Sequence, residues 1–320
     1  MKKLNNIMNV QLMRELGIVI VFVVILAILM ILSPNAFARP ANLMNIFKQA
    51  SINGILAMGM MFVIISGGID LSVGSIVALT GVVAASFAHP GEYPLIVPII
   101  LALVIGLFIG WFNGVGIAYG NIPPFIVTLG TMTMIRGVAL IVSKGAPVFG
   151  VTDAFENIAG AFLFDTIPLL VVYFIVITIV SAYILTKAVF GRRVYAIGGN
   201  EISAAFSGIK VEKIRIMVYM ISGLFAGFAG LLLASRTVSG IPTAGQSYEL
   251  DAIAAVIIGG VSMSGGSGRW YGTVIGALLI AVIGNGLDIL NVSSHYQLVI
   301  KGAIIIVAVL LDVKSKERTA

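Results

Sequence analysis

Long runs without a charged residue constrain this chain more than any other feature of its sequence. A bilayer core is crossed by about 20 mostly apolar residues in a helix. Charge-free, mostly apolar runs occupy residues 16–38, 49–69, 71–91, 93–135, 166–186, 216–235, 252–268, 270–287 and 289–311, the last with Lys301 as its one exception. The run 93–135 is long enough for two helices, with Gly-Asn-Ile-Pro-Pro at 120–124 between them. The pattern predicts an all-α integral membrane protein with about ten transmembrane helices.

The composition excludes a soluble fold. Of 320 residues, 59% are hydrophobic and 10% are charged, whereas a soluble domain has about 45–50% apolar and about 25% charged residues. A soluble fold of about 300 residues buries only about 75% of its extended-chain surface. The excess apolar surface therefore faces lipid, and neither an ordinary soluble enzyme nor a nucleic-acid-binding domain fits, despite the net charge of +6.

The positions of the basic residues predict the orientation. Cytoplasmic loops of membrane proteins carry an excess of lysine and arginine. A cytoplasmic N-terminus places most of the basic residues inside and leaves four outside: Arg39, Lys48, Lys144 and Arg236. We therefore expect one polytopic domain over residues 1–320 with both termini cytoplasmic. A cytoplasmic loop at about 188–213 and a cytoplasmic tail at about 312–320 belong to it.

The N-terminus has two interpretations. A basic start, an apolar run at 17–32 and Ala-Phe-Ala at 36–38 match the plan of a cleavable signal peptide. The long basic region and the long apolar run favour an uncleaved first span instead. Cleavage would leave the topology of the remaining chain unchanged.

An internal repeat interrupts two of the apolar segments. Residues 67–75, Gly-Gly-Ile-Asp-Leu-Ser-Val-Gly-Ser, align without gaps to residues 259–267, Gly-Gly-Val-Ser-Met-Ser-Gly-Gly-Ser. Glycine costs about 1 kcal/mol in a helix interior, so both clusters predict the end of a helix. Such paired interruptions indicate a transport path, although small residues are also common where membrane helices pack. The residues predicted to line or gate the path are Gly67, Gly68, Asp70, Ser72, Gly259, Gly260, Ser262 and Ser264.

Asp70 is the most informative residue of the first cluster. A carboxylate between apolar runs is costly unless it is solvated or paired. We expect it to accept backbone N–H bonds near Ser72 and Val73 at the start of the next helix, and direct contact with a substrate is the alternative. Ser262 occupies the equivalent position in the second copy, so the two halves differ chemically.

Two basic residues fall within predicted spans. Arg136 and Lys301 are expected to snorkel or to pair with an acid in the helix bundle, and a substrate role is the alternative. Glu249 and Asp251 are expected at the outer mouth, where they could cap a helix or contact a soluble partner.

The loop between residues 187 and 215 predicts a short cytoplasmic helix. Asn200 is a good N-cap, Glu201 suits the first turn, and Gly208 is a plausible stop. One face is apolar and comprises Ile202, Ala205, Phe206 and Ile209. Such a helix either rests on the membrane surface or docks a cytosolic subunit.

Motifs of covalent chemistry are missing from the sequence. There is no cysteine, there are two histidines, and neither GxxxxGK[ST] nor HExxH occurs. We therefore expect no catalytic residue and no metal site, and any ATP chemistry must lie in a partner. A membrane-embedded enzyme would need clustered histidines or acids at the interface.

Three blocks together resemble the permease subunits of ribose-type monosaccharide ATP-binding-cassette importers. They are the two glycine clusters and the loop Gly-Arg-Arg-Val-Tyr-Ala-Ile-Gly-Gly-Asn-Glu that begins at residue 191. The resemblance implies a multi-pass protein of the bacterial cytoplasmic membrane that transports ribose or a similar sugar. It also implies that the loop is a coupling helix, with the matching residues Arg192, Asn200, Glu201, Ala204, Ala205 and Gly208.

The resemblance further implies the partners. These are a second, identical or homologous permease chain, two ATP-binding subunits that hold ATP and Mg²⁺, and an extracytoplasmic solute-binding protein. No cofactor is expected in this chain. The alternatives are a sister permease for an autoinducer, nucleoside or other small polar solute, and an ion-coupled secondary transporter with Asp70 as the coupling site.

Overall fold

The computed structural model describes the backbone of residues 2–317 and the side chains of residues 17–307, 309 and 310. Within this range the fold is helical, with one hairpin of two-residue strands, β1 (Phe162–Leu163) and β2 (Ile167–Pro168). Residue 1 lies outside the described residues, and so do residues 318–320, which form the end of the predicted cytoplasmic tail. The helices are α1 (Lys2–Leu32), α2 (Pro34–Phe37), α3 (Pro40–Ile65), α4 (Val73–Ser86), α5 (Ile96–Ala118), α6 (Pro124–Val142), α7 (Asp153–Gly160), α8 (Leu169–Thr186), α9 (Val189–Gly199), α10 (Glu201–Phe206), α11 (Val211–Thr237), α12 (Tyr248–Ile258), α13 (Trp270–Ile289) and α14 (Ser294–Glu317).

Six of these helices are long and apolar enough to cross a membrane, namely α3, α5, α6, α8, α11 and α13. Shorter apolar helices occupy Gly17–Leu32, Val73–Ser86 and Ser294–Val307. The prediction of an all-α membrane protein is therefore confirmed. With 11 residues, α12 is only about 16 Å long and does not span a bilayer by itself.

Helix α3 forms the centre of the fold. It is buried almost continuously from Ala50 to Ile65, and α11, α13, α12 and α8 pack around it. Helices α5, α6 and α8 expose much of their apolar surface instead. Since water would not stabilise that surface, lipid or a second protein chain must cover it.

Glycines allow α5 and α11 to pack backbone against backbone. Gly106 and Gly110 of α5 face Gly223 and Gly227 of α11. A Cβ atom added to Gly223 would overlap the carbonyl oxygen of Gly106, and one added to Gly106 would overlap that of Gly223. Small residues at a four-residue spacing on both helices are typical of close helix pairs in membranes.

We predict that Gly223→Ala destabilises the protein because its methyl group has no room beside α5. The expected loss is about 1–3 kcal/mol, measured as a lower thermal unfolding temperature of the purified protein in detergent. Gly137→Ala on α6 is the matched control, since a Cβ atom there meets nothing within 4 Å. Equal unfolding temperatures for the two variants would contradict this packing.

Candidate functional site

Both glycine clusters end a helix, as the sequence predicts. At the end of α3, the N–H of Gly68 donates to the carbonyl of Val63 over 3.0 Å. At the end of α12, the N–H of Val261 donates to Val256 over 3.1 Å. The glycine in the left-handed region is Gly67 in the first break, with φ +83°, and Gly260 in the second, with φ +87°. The gapless alignment pairs Gly67 with Gly259, so the left-handed glycines of the two breaks differ by one position in that alignment.

The two breaks meet each other and α9. The N–H of Gly266 donates to the carbonyl of Ile65 over 2.9 Å. A Cβ atom on Gly265 would lie 2.9 Å from the nitrogen of Gly67, and one on Gly198 of α9 would overlap the carbonyl oxygen of Ile65. The three segments thus pack through their backbones into one cluster, which we call the break cluster, residues 65–68, 195–199 and 259–268.

Tyr195 joins α9 to the second break. Its hydroxyl donates to the carbonyl oxygen of Gly268 over 2.8 Å. Burial raises the pKa of the Tyr195 phenol, and the nearby charge of Arg269 lowers it in part. The phenol therefore stays protonated at neutral pH and remains a hydrogen-bond donor.

Asp70 lies fully buried at the start of α4. Its carboxylate accepts the backbone N–H of Ser72 over 3.0 Å and the Ser72 hydroxyl over 2.6 Å. The bond to the Ser72 backbone is the one predicted from the sequence, so that prediction is confirmed. The second carboxylate oxygen accepts the Ser222 hydroxyl of α11 over 2.8 Å, and Asn113 of α5 donates to the Ser72 hydroxyl over 2.9 Å.

Sequence reasoning missed Ser222 and Asn113. Each is a buried polar residue within a charge-free run, which was a detectable signal, but the sequence did not show that both lie beside Asp70. The other predicted path residues differ in exposure. Gly67 and Ser264 are exposed, Gly68 and Gly260 are half-buried, and Ser72, Gly259 and Ser262 are buried.

Arg136 holds the chain segment between α11 and α12. One of its guanidinium nitrogens donates to the carbonyl oxygens of Pro242 and Ala244, over 2.9 and 2.7 Å. The arginine therefore binds backbone carbonyls, while Glu249 is near enough to interact with it electrostatically. The expected pairing with an acid is confirmed for Lys301, whose ammonium lies 2.8 Å from the carboxylate of Asp251, itself 4% exposed.

A cavity of about 470 Å³ opens between α6 and this segment. Its lining is mixed: Thr133, Arg136, Thr243, Gln246, Ser247 and Glu249 are polar, and Met132 and Leu140 are apolar. The sequence prediction placed Glu249 at an outer mouth but overlooked Thr243 and Gln246. The polar run Gly-Gln-Ser-Tyr-Glu at 245–249, between two apolar runs, was the available signal.

The predicted cytoplasmic helix is α10, which begins and ends where the sequence indicates. The Asn200 side chain accepts the backbone N–H of Ser203 over 2.8 Å, and Gly208 is in the left-handed region with φ +80°. Ile202 and Phe206 are 70% and 89% exposed. Ile202 and Phe206 therefore point away from the described residues, whereas Ile209, predicted for the same face, is half-buried and packs against the core.

The remaining residues predicted for this loop have different surroundings. Ala204 is buried beneath α10, whereas Ala205 and Gly208 are exposed. Glu201 and Arg215 form an ion pair of 2.6 Å. Arg192 is exposed and donates to the carbonyl of Lys187 over 3.2 Å, so its side chain secures the turn between α8 and α9.

Comparisons with known proteins agree over nearly the whole chain. A family model described as "Branched-chain amino acid transport system / permease component" matches residues 42–309. The ribose import permease protein of Bacillus subtilis is 48% identical over 303 residues, 94% of each chain, and that of Escherichia coli K12 is 44% identical over 301 residues, 93% of each chain. The D-allose transport system permease protein of Escherichia coli K12 is 40% identical over 296 residues, 92% of this chain and 90% of its own. No solved structure matches the chain.

We predict that Asp70→Ala destabilises the protein, because the Ser72 N–H and the hydroxyls of Ser72 and Ser222 lose their shared acceptor in a buried site. The expected loss is about 3 kcal/mol, read from thermal unfolding in detergent. Asp70→Asn retains an acceptor oxygen and should lose less. Glu92→Ala, in an exposed loop, is the control that should leave stability unchanged. A stable Asp70→Ala variant would show that this network does not hold α4 in place.

Proposed function

The chain belongs to the family described as branched-chain amino acid transport system / permease component, and on that premise we propose that it is the membrane-spanning subunit of an ATP-binding-cassette importer for a monosaccharide. Ribose is the favoured substrate, because the relatives at 48% and 44% identity are named ribose import permeases. The chain covers more than nine tenths of both. Sequence identity of this extent supports the same transport function for the same class of solute.

The exposed apolar face of α10 is the observation that carries this proposal. Ile202 and Phe206 would gain stability by entering a groove on another protein, since each large apolar side chain gains about 1.5–3 kcal/mol on burial. A cytosolic ATP-binding subunit is the partner that an importer of this family requires. Helix α10 would enter the groove already folded, because Asn200 caps its N-terminus and Gly208 ends it.

The contacts of α9 provide a route from α10 to the helix breaks. Helix α9 precedes α10 with one residue between them, and its backbone at Gly198 packs directly on the end of α3. Tyr195 binds the second break at the same time. Because backbone contacts leave no flexible side chain to yield, a displacement of α10 would move both breaks together.

The proposed mechanism is alternating access driven from outside this chain. ATP binding would close two ATP-binding subunits, and the coupling helices would pass that motion to the break cluster. Gly67, Gly68, Asp70, Ser72, Gly259, Gly260, Ser262 and Ser264 would then line or gate the path, with Asp70 acting through the position of α4. The chain itself performs no covalent step, and ATP and Mg²⁺ would belong to the ATP-binding subunits.

The proposed assembly follows the same premise. Two permease chains, identical or homologous, would combine with two ATP-binding subunits and an extracytoplasmic solute-binding protein in the bacterial cytoplasmic membrane. Each permease would form one domain over residues 1–320 with about ten transmembrane helices. Both termini, the loop at 188–213 and the tail at 312–320 would lie in the cytoplasm.

We predict that Ile202→Ala combined with Phe206→Ala abolishes coupling without unfolding the permease, because both side chains project into solvent. Sugar uptake should fall by at least about tenfold, and the ATP-binding subunit should no longer copurify. Phe149→Ala, which removes a phenylalanine that is 66% exposed elsewhere on the protein, is the matched control. Normal uptake in the double variant would refute the docking role.

A charge exchange separates docking from local stability. Glu201→Lys should impair transport, and adding Arg215→Glu restores an ion pair of reversed polarity within the loop. An exposed pair of this kind contributes only about 0–1 kcal/mol, so the double exchange should remain impaired if Glu201 faces the partner. Recovery of transport would assign Glu201 a role within its own loop.

A further inference from the structure

The segment from residue 238 to 247 is irregular backbone that is only partly buried within the fold. It leaves α11 at Val238, where φ is +53°, and pairs with Val148 at Gly240. It then reaches the first turn of α4, where a Cβ atom on Gly74 would overlap the carbonyl oxygen of Gly245. In a membrane, irregular backbone is tolerated only where protein buries it or where it lines a water-filled cavity.

Arg136 fixes the position of this segment from the other side. Its two bonds to the carbonyls of Pro242 and Ala244 satisfy backbone acceptors that α11 and α12 do not pair. Arg136 lies on α6 six residues before Val142, so its Cα atom is about 9 Å from the end of that helix along the helix axis. The segment is thus held between α4 and α6, which are both apolar helices.

The side chains that line the cavity along this segment are polar. Thr243 and Gln246 are exposed, and Ser247 and Glu249 are half-buried, all around the cavity of about 470 Å³. A charged side chain that faces acyl chains is costly unless it is solvated or paired. A wall with a carboxylate, an amide and hydroxyls is therefore suited to water and not to lipid.

A second concave surface of the same chain has an apolar lining, in contrast to the cavity beside Arg136. The groove between α5, α8 and α11, about 270 Å³ in volume, is lined by apolar and aromatic side chains, among them Leu103, Val176, Leu224 and Phe228. That lining suits acyl chains. The two surfaces therefore face different surroundings, although both lie along predicted membrane spans.

We propose that the polar cavity is a sugar-contacting wall of the transport path, an inference that rests on the proposed function. Gln246 can both donate and accept hydrogen bonds, which suits a polyhydroxylated solute, whereas one carboxylate oxygen of Glu249 lies against Gly74 of α4. Thr243 adds a hydroxyl on the same wall. Arg136 is a positioning residue, because its donors hold the backbone that presents these side chains. The volume falls within the range of about 300–1,000 Å³ that small-molecule sites occupy.

The absence of cysteine from the sequence makes the test direct. Thr243→Cys and Gln246→Cys would be introduced singly, with Ile179→Cys as control, a position on α8 that is 62% exposed in an apolar surrounding. The complete complex in membrane vesicles would be treated with 2-sulfonatoethyl methanethiosulfonate, a charged thiol reagent. We expect both cavity cysteines to react at least about tenfold faster than the control. Labelling should also block uptake, and excess ribose under transport conditions should slow labelling.

Three outcomes overturn the inference. The first is that the cavity cysteines are labelled no faster than Ile179→Cys. The second is that uptake is unchanged after complete labelling. The third is that the labelling rates are equal with and without ribose. The unmodified complex decides the proposed function separately, since failure of that complex to import any monosaccharide would refute the function itself.

The positioning role of Arg136 has its own readout. Arg136→Ala should change the labelling rate of Thr243→Cys by at least about threefold, because the segment loses its clamp, while the rate at Ile179→Cys stays the same. Arg136→Lys keeps a cationic donor and should restore most of the original rate. If Thr243→Cys is labelled at the same rate with Arg136, Arg136→Ala and Arg136→Lys, then Arg136 does not position this segment.

Discussion

A backbone inside a membrane must pair its N–H and C=O groups with protein or water, and this constraint governs the whole architecture. The chain's departures from helix include the two breaks and residues 238–247. At the breaks, backbone groups find partners across segments, as when Gly266 donates to Ile65. Along residues 238–247, an arginine supplies the donors. At these places the backbone is thus stabilised by contacts that also fix its position.

Glycine makes these contacts possible and gives them a mechanical consequence. Gly198 brings α9 against the end of α3, and Gly74 brings α4 against Gly245. At both places the contact is between backbone atoms, without a flexible side chain that could change its conformation. We therefore expect movement of one segment to displace the segment packed against it. The helix α10 projects its apolar face at one end of this series, and the polar cavity lies at the other. An ATP-driven motion applied to α10 could therefore alter the cavity at a distance.

Local patterns in the sequence predicted much of this structure. Charge-free runs located the helices, glycine clusters located two helix ends, and Asn200 and Gly208 delimited α10. The Asp70 bond to the Ser72 backbone was also predictable, because it spans two residues. The contact of Asp70 with Ser222 was not, since 152 residues separate them and only the packing of α4 on α11 brings them together. The polar cavity is a product of the same kind of distant packing between α6 and residues 243–249.

The central claim is that transport is driven through α10 by ATP and not by an ion gradient. Among the described residues, the buried carboxylates are Asp70 and Asp251. Asp70 already accepts hydrogen bonds from serine hydroxyls, and Asp251 forms an ion pair with Lys301. The most direct measurement is ribose uptake by the complete complex in ATP-loaded proteoliposomes after the proton gradient has been collapsed. The account predicts that uptake continues unchanged and stops when ATP is removed. Loss of uptake with the gradient, while ATP is held constant, would contradict it.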